Sequence, residues 1–153
     1  MSEHSTCATP SRQSVPSTGA PVASIVVPCY NAERYLRRTL ESALAQTMED
    51  FELICVDNNS TDKTPELLEE CAAADSRVRV LSESEPGEGP ARDAGLKRAR
   101  GRWAYFLDSD DLMEPTLLEK SISLAEDSQA DIVVFQTTTT RSEERRVGKE
   151  CRS

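Results

Sequence analysis

Asp108-Ser109-Asp110-Asp111 places three carboxylates within four residues, directly behind the apolar run Trp103–Leu107. Carboxylates this close repel one another strongly unless a cation or a shared proton offsets their charge. A hard divalent cation, Mg²⁺ or Mn²⁺, that also grips a phosphate would do so. The same residues also fit a solvated Asp-rich turn capping the next helix. Position bears on the choice. Ala104, Tyr105, Phe106 and Leu107 read as a buried strand of a parallel sheet, too short and too apolar for a surface helix. Such a strand delivers its last residues to the carboxyl edge of the sheet, where open α/β folds bind ligands.

The rest of the chain supplies that sheet. Ala23–Val27 is a β-branched run ended by Pro28 and reads as the first strand. Asn31 is placed to cap a helix carrying Tyr35, Leu36, Leu40, Ala43 and Leu44 at helical spacing. Phe51–Val56 is the second strand, closed by the polar cluster Asp57–Asp62, and Thr64-Pro65 opens the next helix. Val78–Leu81 is the third strand, and Gly87-Glu88-Gly89-Pro90 starts a helix over Ala91–Arg100. After the strand ending at Leu107, Pro115 begins a helix with Leu117, Leu118, Ile122 and Ala125, and Ile132–Phe135 is a fifth strand. Strands alternating with helices of this length predict an α/β fold: a mostly parallel, Rossmann-like sheet with helices on both faces.

Composition narrows the partners. A net charge of −9 over 153 residues argues against a nucleic-acid backbone or an anionic membrane surface. No apolar stretch approaches the ~20 residues of a membrane span, and Met1–Pro21 lacks the apolar core of a secretory signal, so it reads as a disordered leader rich in Ser, Thr and Pro. The five cysteines include no C-x-x-C pair, which fits a reducing cytoplasm better than a disulfide framework or a zinc site.

Arg141–Ser153 differs from what precedes it. Up to Thr140 the chain carries 13 basic and 24 acidic residues, whereas the last thirteen carry five and three with no apolar periodicity. RSEERRVGKECRS resembles the in-frame translation of a common short-read sequencing adapter at every codon. The expectation is a non-native tail at 141–153, a genuine domain over 22–140, and a natural protein that continues past Thr140, making the fold incomplete at its C-terminus.

Four polar groupings each follow a strand: Pro28-Cys29-Tyr30-Asn31, Asp57–Asp62, Glu85–Arg92 and Asp108–Asp111. The stretches VVPCYNAERYLRRTLES, ICVDNNSTDKTPELL and GPARDAGLKRARGRWAYFLDSDDLMEP together resemble a family 2 inverting glycosyltransferase with a GT-A nucleotide-diphospho-sugar domain. The resemblance spans about Ala23–Gln136, with the motifs in the family's order and spacing.

That resemblance implies roles. Pro28 and Tyr30 would line the base pocket, and Asp57 would accept a hydrogen bond from a base N–H, typically of uracil, a task suited to an acceptor-only carboxylate. Asp62 would shape its loop rather than touch ligand. Arg92 would lie near the diphosphate, where a guanidinium makes paired charge-assisted hydrogen bonds. Asp108 and Asp110 would form the metal-binding DxD, with Asp110 the direct ligand of Mg²⁺ or Mn²⁺ and Asp108 contacting ribose or metal. Two departures stand out: Asn58 occupies a position that is often acidic, and Asp93 one that is often Asn.

The implied reaction is an in-line displacement at the anomeric carbon of a UDP-linked donor by an acceptor hydroxyl, on a glycan or lipid-linked glycan. The general base is expected in the missing C-terminal part, so this chain holds the donor half and is inactive alone. The implied location is the cytoplasm, at the inner face of the membrane for the whole protein. Rival readings are an inactive nucleotide-binding fragment and a haloacid-dehalogenase-type phosphatase. The latter would need Thr or Val where Leu112 stands. An EF-hand loop fails at Leu112 and Met113, and Gly87–Arg92 breaks the dinucleotide fingerprint.

Overall fold

The computed structural model describes residues 19–134. The leader up to residue 18, Phe135 and the tail at 141–153 lie outside the described residues. Strands β1 (Ala23–Cys29), β2 (Phe51–Asp57), β3 (Val78–Ser82) and β4 (Trp103–Phe106) alternate with helices α1 (Leu36–Leu44), α2 (Thr64–Ala74), α3 (Glu88–Arg98) and α4 (Leu117–Ser128). All pairings are parallel and the strand order is β3-β2-β1-β4. The chain therefore steps outward from β1 to β3, then crosses back through α3 to set β4 on the other side of β1. That reversal opens a crevice above β1 and β4, the place where such sheets take ligands.

Every residue of β1 is buried, as is β2 up to Val56, because both faces of the sheet are covered. On one face Ile25, Val27, Leu53 and Cys55 meet Leu36 and Leu40 of α1, Leu68 of α2 and Leu118 and Ile122 of α4. On the other, Val26, Ile54 and Val56 meet Ala91 of α3. Gly95 lets α3 lie close: a Cβ there would stand 2.3 Å from Val26 Cγ1.

The strand expected to be buried, β4, is only half-buried, because it is the edge strand and leaves Ala104 and Phe106 exposed. Four further expectations need correction. β1 runs through Pro28, in register with Val56. Leu107 N–H reaches Val26 O on the β4 side, and Asn58 N–H reaches Cys29 O on the β2 side. The alternation of backbone groups thus turns the missing N–H of Pro28 toward β4, whose ladder has already ended at Phe106, so no bond is lost. Second, Asn31 does not cap α1, which begins at Leu36 behind Tyr35. Third, α3 starts three residues earlier than expected, with Gly87 at φ 124° before it and Pro90 tolerated in the first turn. Fourth, residues 132–134 form no strand, with Ile132 and Val134 79% and 90% exposed. β-Branched composition makes a strand only against a ladder partner, and among the described residues β4 has none on its outer side.

Candidate functional site

The loops after all four strands converge on one cleft of 760 Å³ at the carboxyl edge, lined by residues 28–30, 58–59, 84, 86–88, 91 and 108–110. Side chains of the first two loops bind one another. Asn31, held left-handed at φ 46°, takes the Thr61 N–H on Oδ1 at 2.8 Å, and its own N–H goes to Ser60 Oγ at 3.0 Å. Thr64 Oγ1 accepts from Ala32 N–H at 2.8 Å, so this threonine ties α2 to the first loop. Asp62 accepts from Thr64 N–H and Glu33 N–H and lines no part of the cleft, as expected of a loop-shaping residue. Burial alone would raise its carboxyl, but the hydrogen bonds from the Thr64 hydroxyl and N–H and from Glu33 N–H together outweigh it and hold the group below the usual range.

Pro28 and Tyr30 both line the cleft, and the Tyr30 ring is 64% exposed, a free apolar face. Cys29 lines it too, but burial and then the Asp57 charge push its thiol up to about 12, leaving it un-ionised and unreactive. Asp57 closes β2 beside Cys29. Its Oδ1 is buried and accepts no hydrogen bond from the protein. A buried carboxylate oxygen without a protein donor is costly, and a water or a ligand N–H would meet that need.

Arg92 is brought to Asp108, Nη2 donating to Oδ1 at 2.7 Å, and it also pairs with Glu88 one turn earlier. Its guanidinium lies 5.8 Å from the Phe106 ring centre, and its Nε is buried without an acceptor. Asp93 is paired with Lys97 at 2.6 Å, and neither it nor Arg92 lines the cleft.

Asp108, Ser109 and Asp110 line the cleft from the β4 side. Their loop is set by polar groups of α1: Thr39 Oγ1 donates to Ser109 O at 2.9 Å, and Ser42 Oγ accepts from Met113 N–H at 3.0 Å. Burial first, then the charges of Asp110 and Asp108, pushes the Asp111 carboxyl upward. Among the described residues no group of three His, Cys, Asp or Glu side chains is arranged to hold a metal by itself. Asp108 and Asp110 offer hard oxygen ligands on an open cleft, which suits a cation that takes its remaining ligands from phosphate and water.

The residues that sequence reasoning undervalued are Asn58 and the wall at Ser84, Pro86, Gly87 and Glu88. Their signal was their place after strands two and three. Asn58 read as a missing carboxylate, although amides bridge loops readily.

The chain matches Glycosyl transferase family 2 over residues 24–151. It is 42% identical over 115 residues to the succinoglycan biosynthesis protein ExoO of Rhizobium meliloti, covering 74% of this chain and 32% of ExoO. It is 37% identical over 113 residues to the glycosyltransferase EpsJ of Bacillus subtilis, covering 74% of this chain and 33% of EpsJ. The chain therefore spans about a third of the length of the curated relatives it matches. Staphylococcus aureus TarS in complex with UDP superposes with a TM-score of 0.63 at 29% identity, over 70% of this chain and 32% of TarS 1–349. Glucosyl-3-phosphoglycerate synthase of Mycobacterium tuberculosis, bound to Mn²⁺, UDP and glucosyl-3-phosphoglycerate, gives 0.52 at 28% identity, over 69% and 39%. No helix among the described residues is long and apolar enough to cross a membrane. Sheet order, strand-end loops and motif spacing agree with these matches: the chain belongs to glycosyl transferase family 2.

Proposed function

We propose that this chain is the donor-binding half of an inverting glycosyltransferase that uses a UDP-linked sugar and a divalent cation. The observation that carries the proposal is the convergence on one cleft of the exposed Tyr30 and the acidic pair Asp108 and Asp110, with the orphaned carboxylate oxygen of Asp57 behind the lining, between Cys29 and Asn58. Tyr30 and Pro28 give the base an apolar surface. Asp57 Oδ1, buried and unpartnered, accepts the imide N–H of uracil, which repairs its lost hydrogen bond. That need for a donor disfavours cytosine, whose ring N3 carries no hydrogen.

Asp108 and Asp110 are the residues that would hold Mg²⁺ or Mn²⁺, and the cation would offset charge on the departing diphosphate. Arg92 presents a guanidinium beside Asp108 and orients that carboxylate at the edge of the cleft. The acceptor hydroxyl attacks the anomeric carbon opposite the leaving oxygen. We assign the base that takes its proton, and the wall that binds the glycan or lipid-linked glycan acceptor, to chain beyond residue 140. On this reading the 153-residue chain binds donor without turning it over, and the whole protein works on the cytoplasmic side of a membrane. Support comes from TarS with UDP and from the Mycobacterium tuberculosis synthase with Mn²⁺ and UDP, each more than a quarter identical to this chain.

Thermal unfolding with UDP, GDP, CDP and ADP in the presence of Mn²⁺ tests the reading. UDP should raise the midpoint most. No shift with any of the four, or a larger shift with CDP than with UDP, would overturn it.

A further inference from the structure

We infer that Asn58 is a positioning residue that holds the far wall of the cleft, and through that wall sets the affinity for the nucleotide. The inference rests on the donor-site reading above. Asn58 is buried at the end of β2, and its backbone N–H is fixed to Cys29 O of β1 at 2.8 Å. Its side chain reaches across to the connection between β3 and α3. Nδ2 donates to Glu83 O at 2.8 Å and Glu85 O at 2.7 Å, while Oδ1 accepts from Gly87 N–H at 2.8 Å. The amide's orientation follows from its partners, because two carbonyls require donors and one N–H requires an acceptor.

Three further bonds complete the clasp. Asn59, left-handed at φ 61°, donates from Nδ2 to Ser84 O at 3.0 Å. Glu83 N–H goes to Asp57 O at 2.9 Å, and Glu85 N–H to Glu83 Oε1 at 2.8 Å. The segment so held contributes Ser84, Pro86, Gly87 and Glu88 to the cleft, and Gly87 leads directly into the helix that carries Arg92. Both amide hydrogens of Asn58 are engaged, so it acts through the wall. Asp57 beside it keeps a free acceptor for the base. The two adjacent residues therefore divide the work, one reading ligand and one shaping the pocket.

Aspartate at this position would keep the acceptor for Gly87 N–H but set an anionic oxygen against two carbonyls. In the full chain, Asn58→Asp should weaken UDP binding with Mn²⁺ about tenfold by calorimetry near neutral pH, the effect of losing two modest hydrogen bonds. The wild-type-to-variant ratio should narrow as pH falls and the introduced carboxyl gains a proton to donate. Amide exchange at Gly87 should quicken without ligand. Asn59→Ala, which loses only the exposed Ser84 bond, should weaken UDP about twofold to threefold, and it decides the matter if Asn58→Asp does not fold. Wild-type affinity in the folded variants, or a pH-independent ratio, would overturn the inference. If wild type itself fails to bind UDP, the donor reading falls, and Gly87 exchange alone judges the clasp, with unchanged protection refuting it.

Discussion

The two edges of the sheet are built on opposite principles. At the amino edge Glu52, with only 4% of its side chain exposed, sits in a complete set of partners. Its Oε1 accepts from Ser24 Oγ at 2.8 Å and Arg100 N–H at 2.7 Å, and its Oε2 from Arg79 and from Arg100 Nε and Nη2. Ser24 Oγ in turn accepts from Gly101 N–H. At the carboxyl edge Asp57 Oδ1 and Arg92 Nε are buried without partners, and three aspartates crowd one turn. The remaining buried orphan among the described residues, Trp103 Nε1, lies at the amino edge in register with Ala23 and carries no charge. One edge uses its polar groups to close the fold, and the other keeps them open for something the fold does not contain. Substitutions should therefore separate stability from binding according to the edge they touch.

The largest effect is expected at Gly101, where a Cβ would stand 2.5 Å from Ala23 C and Ser24 N, backbone atoms that cannot step aside. Gly101→Ala should destabilise by about 3 kcal/mol or more in denaturant unfolding. Stability unchanged by this substitution would mean the amino edge is looser than described.

Glu52 comes next. Burial alone would raise its carboxyl, but the bonds from Arg100 N–H, Ser24, Arg79 and the Arg100 guanidinium outweigh it and hold the group down to about 2. A depressed carboxylate contributes stability that is whole above its ordinary value near 4.5 and is lost as pH falls through about 2. Glu52→Gln should cost on the order of 2–3 kcal/mol near neutral pH and flatten the acid limb of the stability curve. An identical acid limb in the variant would remove Glu52 as its cause.

At the opposite edge Asp57→Ala should leave stability unchanged or slightly raised, since a buried orphan disappears, while weakening UDP by about 1–3 kcal/mol. A variant that unfolds more readily yet binds UDP normally would erase the contrast between the edges. The smallest effect is expected for the tail. The family match runs to residue 151, although ExoO and EpsJ align over no more than 115 residues. Deleting 141–153 should alter neither the unfolding midpoint nor UDP affinity, because its sequence offers no apolar periodicity with which to add to the core. A deletion that lowers the midpoint would show the tail to be part of the fold.

Four strands and four helices were legible because burial leaves its mark on local sequence, as in the all-buried run Ala23–Val27. The carboxylates at Asp108–Asp111 were legible because a short strand announces where its end must lie. Long-range partners were not. Asn31 resembles a helix cap in sequence, yet Oδ1 bonds thirty residues away at Thr61. Ile132–Val134 has strand composition, but pairing is a property of a neighbour, and no local pattern reports it. Glu52 is a lone carboxylate within the apolar strand β2, and only folding brings Arg79 and Arg100 to it. The clasp of Asn58 was hidden for the same reason.

The central claim is that the carboxyl edge keeps its acidic groups open for a metal-bound nucleoside diphosphate. Calorimetric titration of UDP into the chain, with Mn²⁺ and then with a chelator, in wild type and Asp110→Asn, tests it most directly. The account predicts tighter UDP binding with Mn²⁺ in wild type and loss of that difference in Asp110→Asn, with Asp127→Asn behaving as wild type. Equal UDP affinity with Mn²⁺ and with chelator in wild type would contradict it.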